Sequence, residues 1–259
     1  MIRRVFLVLV SAMTGELLAG TVGAQTPAPP FTLGPGMVRA VLASTPLSSV
    51  ANVPRYFRLV RVHLPATQAV TYNGPVGFVF VLDGTLEVMS GADRQSLVKG
   101  DGVLVAIGKI TQFKSMSGKP AEFLHFVLST AGELDAPMER APAVVKELYR
   151  TASPIPGLKP GPYEFTLVHV TFAPHFPLNP PHQRSGAALY YTLSGTGMFR
   201  TDGKTEPRPA GAVQYEPYDL VHQWANPGAE ALVIIQASIN QEGVPVVIFV
   251  QPTGAGSPK

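Results

Sequence analysis

The sequence has no cysteine, only one tryptophan and few charged side chains, which make up 14% of its 259 residues. The lack of cysteine excludes disulfide frameworks, thiolate metal sites and cysteine nucleophiles. Twenty basic and seventeen acidic residues give a net charge of +3. Because this excess is small and the basic residues are dispersed, no nucleic-acid partner is expected.

Hydrophobic residues are abundant, at 46% of the chain. This content is enough to build a buried core, and it excludes an intrinsically disordered protein. The 26 prolines and 25 glycines favour many short strands joined by tight turns over long helices. The length corresponds to one large domain or two of modest size.

The N-terminus has the pattern of a secretory signal peptide. Arg3 and Arg4 supply a positive start, an apolar run follows, and small residues lead up to Ala24. We therefore predict a signal peptide at residues 1–24 and a secreted or periplasmic protein, exported by the general or the twin-arginine route. A membrane anchor is the alternative, but Glu16 interrupts the run. No later run is long enough to span a bilayer, so no membrane contact is expected after cleavage.

The chain contains an internal repeat. The segment 78–85, FVFVLDGT, resembles the segment 189–196, LYYTLSGT, and the turn glycine of the second lies 111 residues after that of the first. The same offset aligns further pairs without a gap: Gly100 with Gly211, Gln112 with Gln223, Phe113 with Trp224, and Ser115 with Asn226. We interpret this agreement as a duplication.

Both copies have β-type sequences, in which runs rich in β-branched and aromatic residues alternate with turn residues. This pattern predicts an all-β sandwich or barrel for each copy. Between the copies, apolar residues at helical spacing predict a short connecting helix within residues 141–150. The predicted division is a signal peptide (1–24), an N-terminal barrel (25–135), a helix and proline-rich linker (136–162), a C-terminal barrel (163–251) and a flexible tail (252–259).

Two motifs in the second copy resemble those of the cupin superfamily. The second cupin motif is matched by Gly211, Pro217, His222 and Asn226 at the family's spacing. It departs from the family at Asp219, where glycine is usual. The first motif is matched in part by Pro181, His182 and the run from Tyr190 to Gly195. The chain is thus similar to bicupins, including the quercetin-dioxygenase-like cupins, and the resemblance implies two tandem double-stranded β-helix (jelly-roll) barrels.

The resemblance also assigns the family's metal-ligand positions. In the C-terminal barrel, His182 falls on the first histidine position, Arg184 on the second, Ala188 on the glutamate position and His222 on the last histidine position. In the N-terminal barrel the equivalents are Thr71, Asn73, Gly77 and Thr111, none of which is a good ligand. A degenerate, metal-free N-terminal barrel is therefore expected.

The first hypothesis for the C-terminal barrel is a metal site. His182 and His222 would hold one divalent ion (Fe, Mn, Ni or Zn) through neutral imidazole nitrogens. The missing ligands would come from water, substrate, Glu216 or His175. Arg184 opposes this hypothesis, because an inward guanidinium repels a divalent cation.

The second hypothesis uses the same residues without a metal. An inward Arg184 beside two histidines forms a cationic cup suited to a carboxylate or enolate. His222 would serve as a catalytic base and Tyr190 as a catalytic hydrogen-bond donor. Trp224 would contact the substrate as a pocket wall, or would simply be part of the core.

These hypotheses lead to two functions. In the first, the protein is an exported bicupin that acts on a small oxygen-rich molecule as a metal-dependent dioxygenase or isomerase. In the second, it is a non-enzymatic bicupin that binds a small anion or sugar without metal. A purely structural pair of barrels is a third option. The expected partner is a small molecule, and a homodimer is plausible because cupin barrels often pair through sheet edges.

Overall fold

The computed structural model describes residues 31–32, 35–47, 53–66, 68–116 and 118–250. The predicted signal peptide and the predicted flexible tail lie outside the described residues. In the described part of the chain, no helix is long and apolar enough to cross a membrane.

The first eleven strands precede the linker between the two copies. They are β1 (Phe31–Thr32), β2 (Met37–Leu47), β3 (Arg55–Leu64), β4 (Ala69–Tyr72), β5 (Gly77–Asp83), β6 (Thr85–Ser90), β7 (Asp93–Val98), β8 (Gly102–Val105), β9 (Thr111–Ser115), β10 (Ala121–Thr130) and β11 (Val144–Arg150). A 3-10 turn (Ala131–Glu133) follows β10.

The other nine strands follow the linker. They are β12 (Tyr163–Phe172), β13 (His182–Arg184), β14 (Ala187–Ser194), β15 (Thr196–Thr201), β16 (Lys204–Pro209), β17 (Val213–Glu216), β18 (His222–Ala225), β19 (Leu232–Gln241) and β20 (Val247–Phe249).

The strands form two barrels, each built from two facing antiparallel sheets. The N-terminal barrel consists of the sheets β11-β3-β10-β5-β8 and β4-β9-β6-β7. The C-terminal barrel consists of the sheets β1-β2-β12-β19-β14-β17 and β16-β15-β18-β13-β20. The all-β prediction is confirmed. Strands β6 to β10 and β15 to β19 begin 111 residues apart, strand by strand, as the repeat in the sequence predicts.

The predicted connecting helix at residues 141–150 is wrong. Residues 144–150 form strand β11, which pairs with β3 and brings Val145 opposite Val62. The pairing shifts register between Glu147 and Tyr149. Such an irregularity breaks the two-residue alternation of a strand, so apolar residues three apart in the sequence imitate helical spacing.

A strand from the start of the chain belongs to the C-terminal barrel, across the predicted division of the chain. Strand β2, which precedes the first repeat, pairs along its length with β12 of the C-terminal barrel. Strand β11, which follows the first repeat, closes the N-terminal barrel against β3. Each barrel is therefore completed by a segment outside its own repeat, and residues from the start of the described chain reach the C-terminal barrel.

Three hydrophobic clusters hold the fold together. One fills the N-terminal barrel around Val60, Val79, Phe113 and Phe123. One fills the C-terminal barrel around Val170, Phe199, Trp224 and Ile234. The third lies between the two larger sheets, with Phe57 and Phe78 from one barrel against Phe165 and Ile235 from the other. Because side chains alternate along a strand, β19 sends Ile234 into its barrel and Ile235 into the contact between barrels.

Candidate functional site

The structure brings His182 and His222 together inside the C-terminal barrel. They are register partners on the paired strands β13 and β18, and their ring centroids are 4.3 Å apart. Both are buried, with 4% and 1% of their surface exposed. Phe199 stacks on the His222 ring at 5.7 Å. The motif spacing therefore identifies a real pair of neighbouring imidazoles.

Backbone carbonyls fix the orientation of both rings. Nδ1 of His182 lies 2.8 Å from the carbonyl oxygen of Pro180, and Nδ1 of His222 lies 2.9 Å from that of Leu220. In a neutral ring Nδ1 is then the donor, and Nε2 carries the free lone pair. Burial, together with the neighbouring His222, lowers the pKa of His182 to about 4. This ring is therefore uncharged at neutral pH.

Arg184 points into the barrel and pairs with Glu216. Its Nε donates to Oε2 of Glu216 at 2.8 Å, and the two side chains are 6% and 0% exposed. Glu216 is the cross-strand partner of Ala188, which occupies the family's glutamate position. The carboxylate that the first motif lacks is thus supplied by the neighbouring strand, β17.

Glu216 is the centre of a hydrogen-bond network. The Tyr190 hydroxyl donates to Oε2 at 2.5 Å, and the Trp224 indole donates to Oε1 at 2.9 Å. Arg184 also contacts the Tyr190 hydroxyl. Burial alone raises the pKa of Glu216, but His222 and Arg184 outweigh it and hold the pKa well below its usual range. Burial raises the pKa of Tyr190. The carboxylate is therefore ionised and the phenol is protonated.

Two residues of this cluster, Arg39 and Gln236, are not among those predicted from the sequence. The Gln236 side-chain oxygen accepts from Nη2 of Arg184 at 3.3 Å and from Nη2 of Arg39 at 3.4 Å. Arg39 lies on β2, opposite Val170 of β12, and no local motif marks it. Gln236 did have a signal, because it is a single polar residue directly after the apolar run 231–235.

The interior of this barrel carries excess positive charge and unused donors. Two guanidinium groups face one carboxylate, and burial together with Arg184 lowers the pKa of Arg39 to about 10, so it is still charged at neutral pH. Nη1 of Arg184 and Nε of Arg39 are buried and have no hydrogen-bond partner among the described residues. A buried donor without a partner costs about 1–3 kcal/mol. The cluster is thus suited to additional oxygen acceptors.

The other residues singled out in the second copy lie apart from this cluster. His175 is exposed, in a left-handed backbone conformation with φ of 56°, so its expected role as a spare ligand is wrong. Asn226 is buried and bonds backbone groups of Phe172, Ala173, Gly228 and Glu230, which makes it a loop anchor. Asp219 has φ of 63°, which explains why glycine is usual at this position.

The first repeat differs from its expected register by one residue. Tyr72 lies opposite Thr111, as His182 lies opposite His222, whereas Thr71 and Asn73 are exposed. The equivalents assigned from the sequence, Thr71 and Asn73, are therefore wrong, because a shift of one residue turns a strand's side chains to the other face.

The N-terminal barrel contains a polar pair of its own. His125 Nδ1 lies 2.6 Å from Oε1 of Glu139, and both side chains are fully buried. The Tyr72 ring packs against the His125 ring at 4.6 Å. Because this pair joins β10 to the segment before β11, it stabilises the way that segment packs on the barrel.

The residues of the C-terminal site do not fit a metal ion. Among the described residues, no group of three or more histidine, aspartate or glutamate side chains is arranged to hold one. The carboxylate of Glu216 already bonds Arg184, Tyr190 and Trp224. A divalent ion about 5 Å from the guanidinium would be repelled by about 7 kcal/mol at an effective dielectric constant near 20. Two imidazoles do not offset such a repulsion.

Comparisons with known proteins agree with this fold. Residues 168–237 match the family described as "Cupin domain", and no curated protein matches the chain in sequence. AerE from Microcystis aeruginosa has a TM-score of 0.51 and 17% identity over 83% of this chain and 97% of its own. Oxalate decarboxylase from Lactobacillus farciminis, solved with formate, has a TM-score of 0.56 and 14% identity over 85% of each chain.

A third similar structure is oxalate decarboxylase from Bacillus subtilis, with a TM-score of 0.55 and 14% identity over 85% of this chain and 76% of its own. That enzyme contains Mn(II) centres. At such low identities the similarity establishes the fold only. The two barrels define a bicupin architecture. The family match identifies residues 168–237 as a cupin domain.

Proposed function

We propose that the C-terminal barrel binds a small anionic, oxygen-rich molecule between Arg184 and Arg39, without a metal ion. The observation that carries the proposal is the buried Nη1 of Arg184, a charged donor without a partner among the described residues. An oxygen atom of the ligand would satisfy it. The metal-dependent dioxygenase or isomerase expected from the resemblance is not proposed, because the site residues do not fit the ion.

Charge favours an anion over a neutral sugar. Arg184 and Arg39 outweigh Glu216 by one positive charge, and both guanidinium groups meet at the Gln236 oxygen. A carboxylate would neutralise this excess and would accept hydrogen bonds from planar guanidinium groups. A sugar would leave the excess charge uncompensated in a buried site.

The remaining residues of the site have supporting roles in this proposal. Tyr190 and Trp224 both donate to Glu216, so they hold the carboxylate that orients Arg184. His182 is uncharged, and its Nε2 lone pair accepts a hydrogen bond from a hydroxyl of the ligand. These assignments replace the direct catalytic role expected for Tyr190 and the direct substrate contact expected for Trp224.

The proposal includes export of the protein. Its support is the charge and hydrophobicity pattern of residues 1–24 in the sequence. N-terminal sequencing of protein recovered from the periplasm or the medium tests it. A new N-terminus at Gln25 is expected, and a cytoplasmic protein that keeps Met1 would contradict it.

Ligand binding is tested by thermal unfolding and calorimetry on protein treated with chelator. The probes are formate, acetate, oxalate, malonate and benzoate, with glucose as the neutral control. A ligand at 100 times its Kd stabilises the folded state by about 2.7 kcal/mol. We expect this response from at least one carboxylate and none from glucose.

Two arginine variants make the test specific to the site. Arg39→Gln removes one of the two guanidinium groups of the site and should weaken carboxylate binding at least tenfold. Arg200→Gln removes an exposed arginine on β15 of the same barrel and should change nothing. The proposal is wrong if no carboxylate binds, or if the two variants bind equally well.

A further inference from the structure

The C-terminal barrel retains most of a metal-binding set in altered form. His182 and His222 are in contact, and both rings are fixed by backbone carbonyls through Nδ1. Glu216 supplies a carboxylate one strand away from the family's position, directly opposite Ala188. Arg184 is the only member of the set that cannot act as a ligand to a divalent cation, because its guanidinium has no acceptor atom.

We infer that Arg184 alone keeps divalent metal ions out of this barrel, so that the site is a metal site in which a guanidinium replaces the ion. Arg184 supplies the positive charge beside Glu216 and occupies Oε2 of its carboxylate at 2.8 Å. It also contacts the Tyr190 hydroxyl and the Gln236 oxygen. The guanidinium therefore satisfies the acceptors that surround it.

The charges inside the barrel show why Arg184 alone is sufficient to exclude a divalent ion. With Arg184 and Arg39 opposite Glu216, the cluster already carries one excess positive charge, and a divalent ion would raise it to three. Exchange of Arg184 for a neutral imidazole would leave Arg39 and Glu216 balanced and would free the carboxylate. It would also place a third nitrogen ligand two residues from His182 on β13, on the same face of the strand.

A ligand nitrogen and a ligand oxygen already lie side by side next to the guanidinium. Nε2 of His222 lies 3.0 Å from Oε1 of Glu216, while Arg184 bonds the other carboxylate oxygen, Oε2.

The inference is tested by metal binding alone, with Co²⁺ and Mn²⁺ as probes. Wild type, Arg184→His and Arg184→Lys are stripped with chelator, dialysed against each ion and analysed for metal per chain. Ligand-field absorption of Co²⁺ and the metal-induced shift in thermal midpoint give two further readouts. Far-ultraviolet circular dichroism and Trp224 fluorescence establish that each variant is folded.

We expect one equivalent of metal per chain in Arg184→His and none in wild type or in Arg184→Lys, which keeps the positive charge. Addition of His222→Ala to Arg184→His should abolish the binding. The inference is overturned if wild type binds one equivalent, if folded Arg184→His binds none, or if Arg184→Lys binds as tightly as Arg184→His. Binding of one equivalent by wild type overturns the inference even if Arg184→His does not fold.

This inference concerns the same site as the proposed function, but the two fail separately. A wild-type protein that binds neither metal nor carboxylate contradicts the proposed function and leaves the inference standing. A wild-type protein that binds carboxylate only with Co²⁺ or Mn²⁺ present contradicts both.

Discussion

Loss of the Arg184 side chain should destabilise the C-terminal barrel, because it leaves the carboxylate of Glu216 buried without its cationic partner. Nε of Arg184 lies 2.8 Å from that carboxylate, which is fully buried. Removal of one partner from a buried ion pair costs about 3–5 kcal/mol. Since Tyr190 and Trp224 still donate to Glu216, we expect the lower limit, about 3 kcal/mol, for Arg184→Met.

A double-mutant cycle separates the ion pair from other effects of the substitution. Glu216→Gln alone leaves the guanidinium unpaired and should cost a similar amount. In the double variant Arg184→Met/Glu216→Gln no buried charge is left uncompensated within the pair. The double variant should therefore lose about 2 kcal/mol less free energy of unfolding than the sum of the two single variants. A coupling of this size is within the range measured for contacting residues.

Urea unfolding followed by Trp224 fluorescence is the appropriate assay. Trp224 is the only tryptophan in the chain, and its indole donates to Glu216 at 2.9 Å, so its signal reports on this barrel and not on the other. Arg200→Met, on an exposed position of β15, is the control and should change stability by less than about 0.5 kcal/mol. Losses that simply add, within about 0.5 kcal/mol, would refute a coupled buried pair.

Three further predictions concern pH, the N-terminal barrel and one turn. Burial lowers the pKa of His182 to about 4, so the unfolded chain binds this proton more readily than the folded protein. The free energy of unfolding should therefore fall by about 3 kcal/mol as the pH drops from about 6.5 to about 4. Urea unfolding of His182→Gln should show a flatter pH dependence, and a pH dependence equal to that of wild type would contradict the assignment. Glu139→Ala should cost about 3 kcal/mol in thermal unfolding because it leaves the fully buried His125 without its partner, and a loss below about 1 kcal/mol would show that the pair is not coupled. At the left-handed position of Asp219, a valine should cost at least about 1 kcal/mol whereas a glycine should be tolerated, a ranking that urea midpoints check.

The fold and the histidine pair were predictable because their signals are local or periodic. Strand alternation and turn glycines can be recognised from neighbouring residues in the sequence, and the same pattern recurs 111 residues later in the second copy. The spacing from Gly211 to His222 fixes one strand and its preceding turn. Once β13 and β18 pair in the family's register, His182 and His222 must lie side by side.

The remaining parts of the structure depend on strand pairings between residues far apart in the sequence, which cannot be recognised from any short segment. The register shift in β11 gives its apolar residues a helix-like spacing. In β4, a register difference of one residue makes Tyr72 the inward side chain, and not Thr71 as predicted. Arg39 reaches the C-terminal barrel only because β2 adds to its sheet. Such long-range contacts are decided by which sheet edge is free and which apolar face must be covered, and these are properties of the assembled barrels.

Glu216 shows how far a site can change while its neighbours stay recognisable. The family's glutamate position is occupied by Ala188, so the sequence motif alone suggests that the carboxylate is lost. In the structure, however, Glu216 lies directly opposite Ala188 on the adjacent strand. In a sheet, cross-strand partners have Cβ atoms about 4.5–5.5 Å apart, so either strand can deliver a carboxylate to nearly the same point. The identity of residue 184, and not the absence of an acid, is therefore what distinguishes this barrel from a metal site.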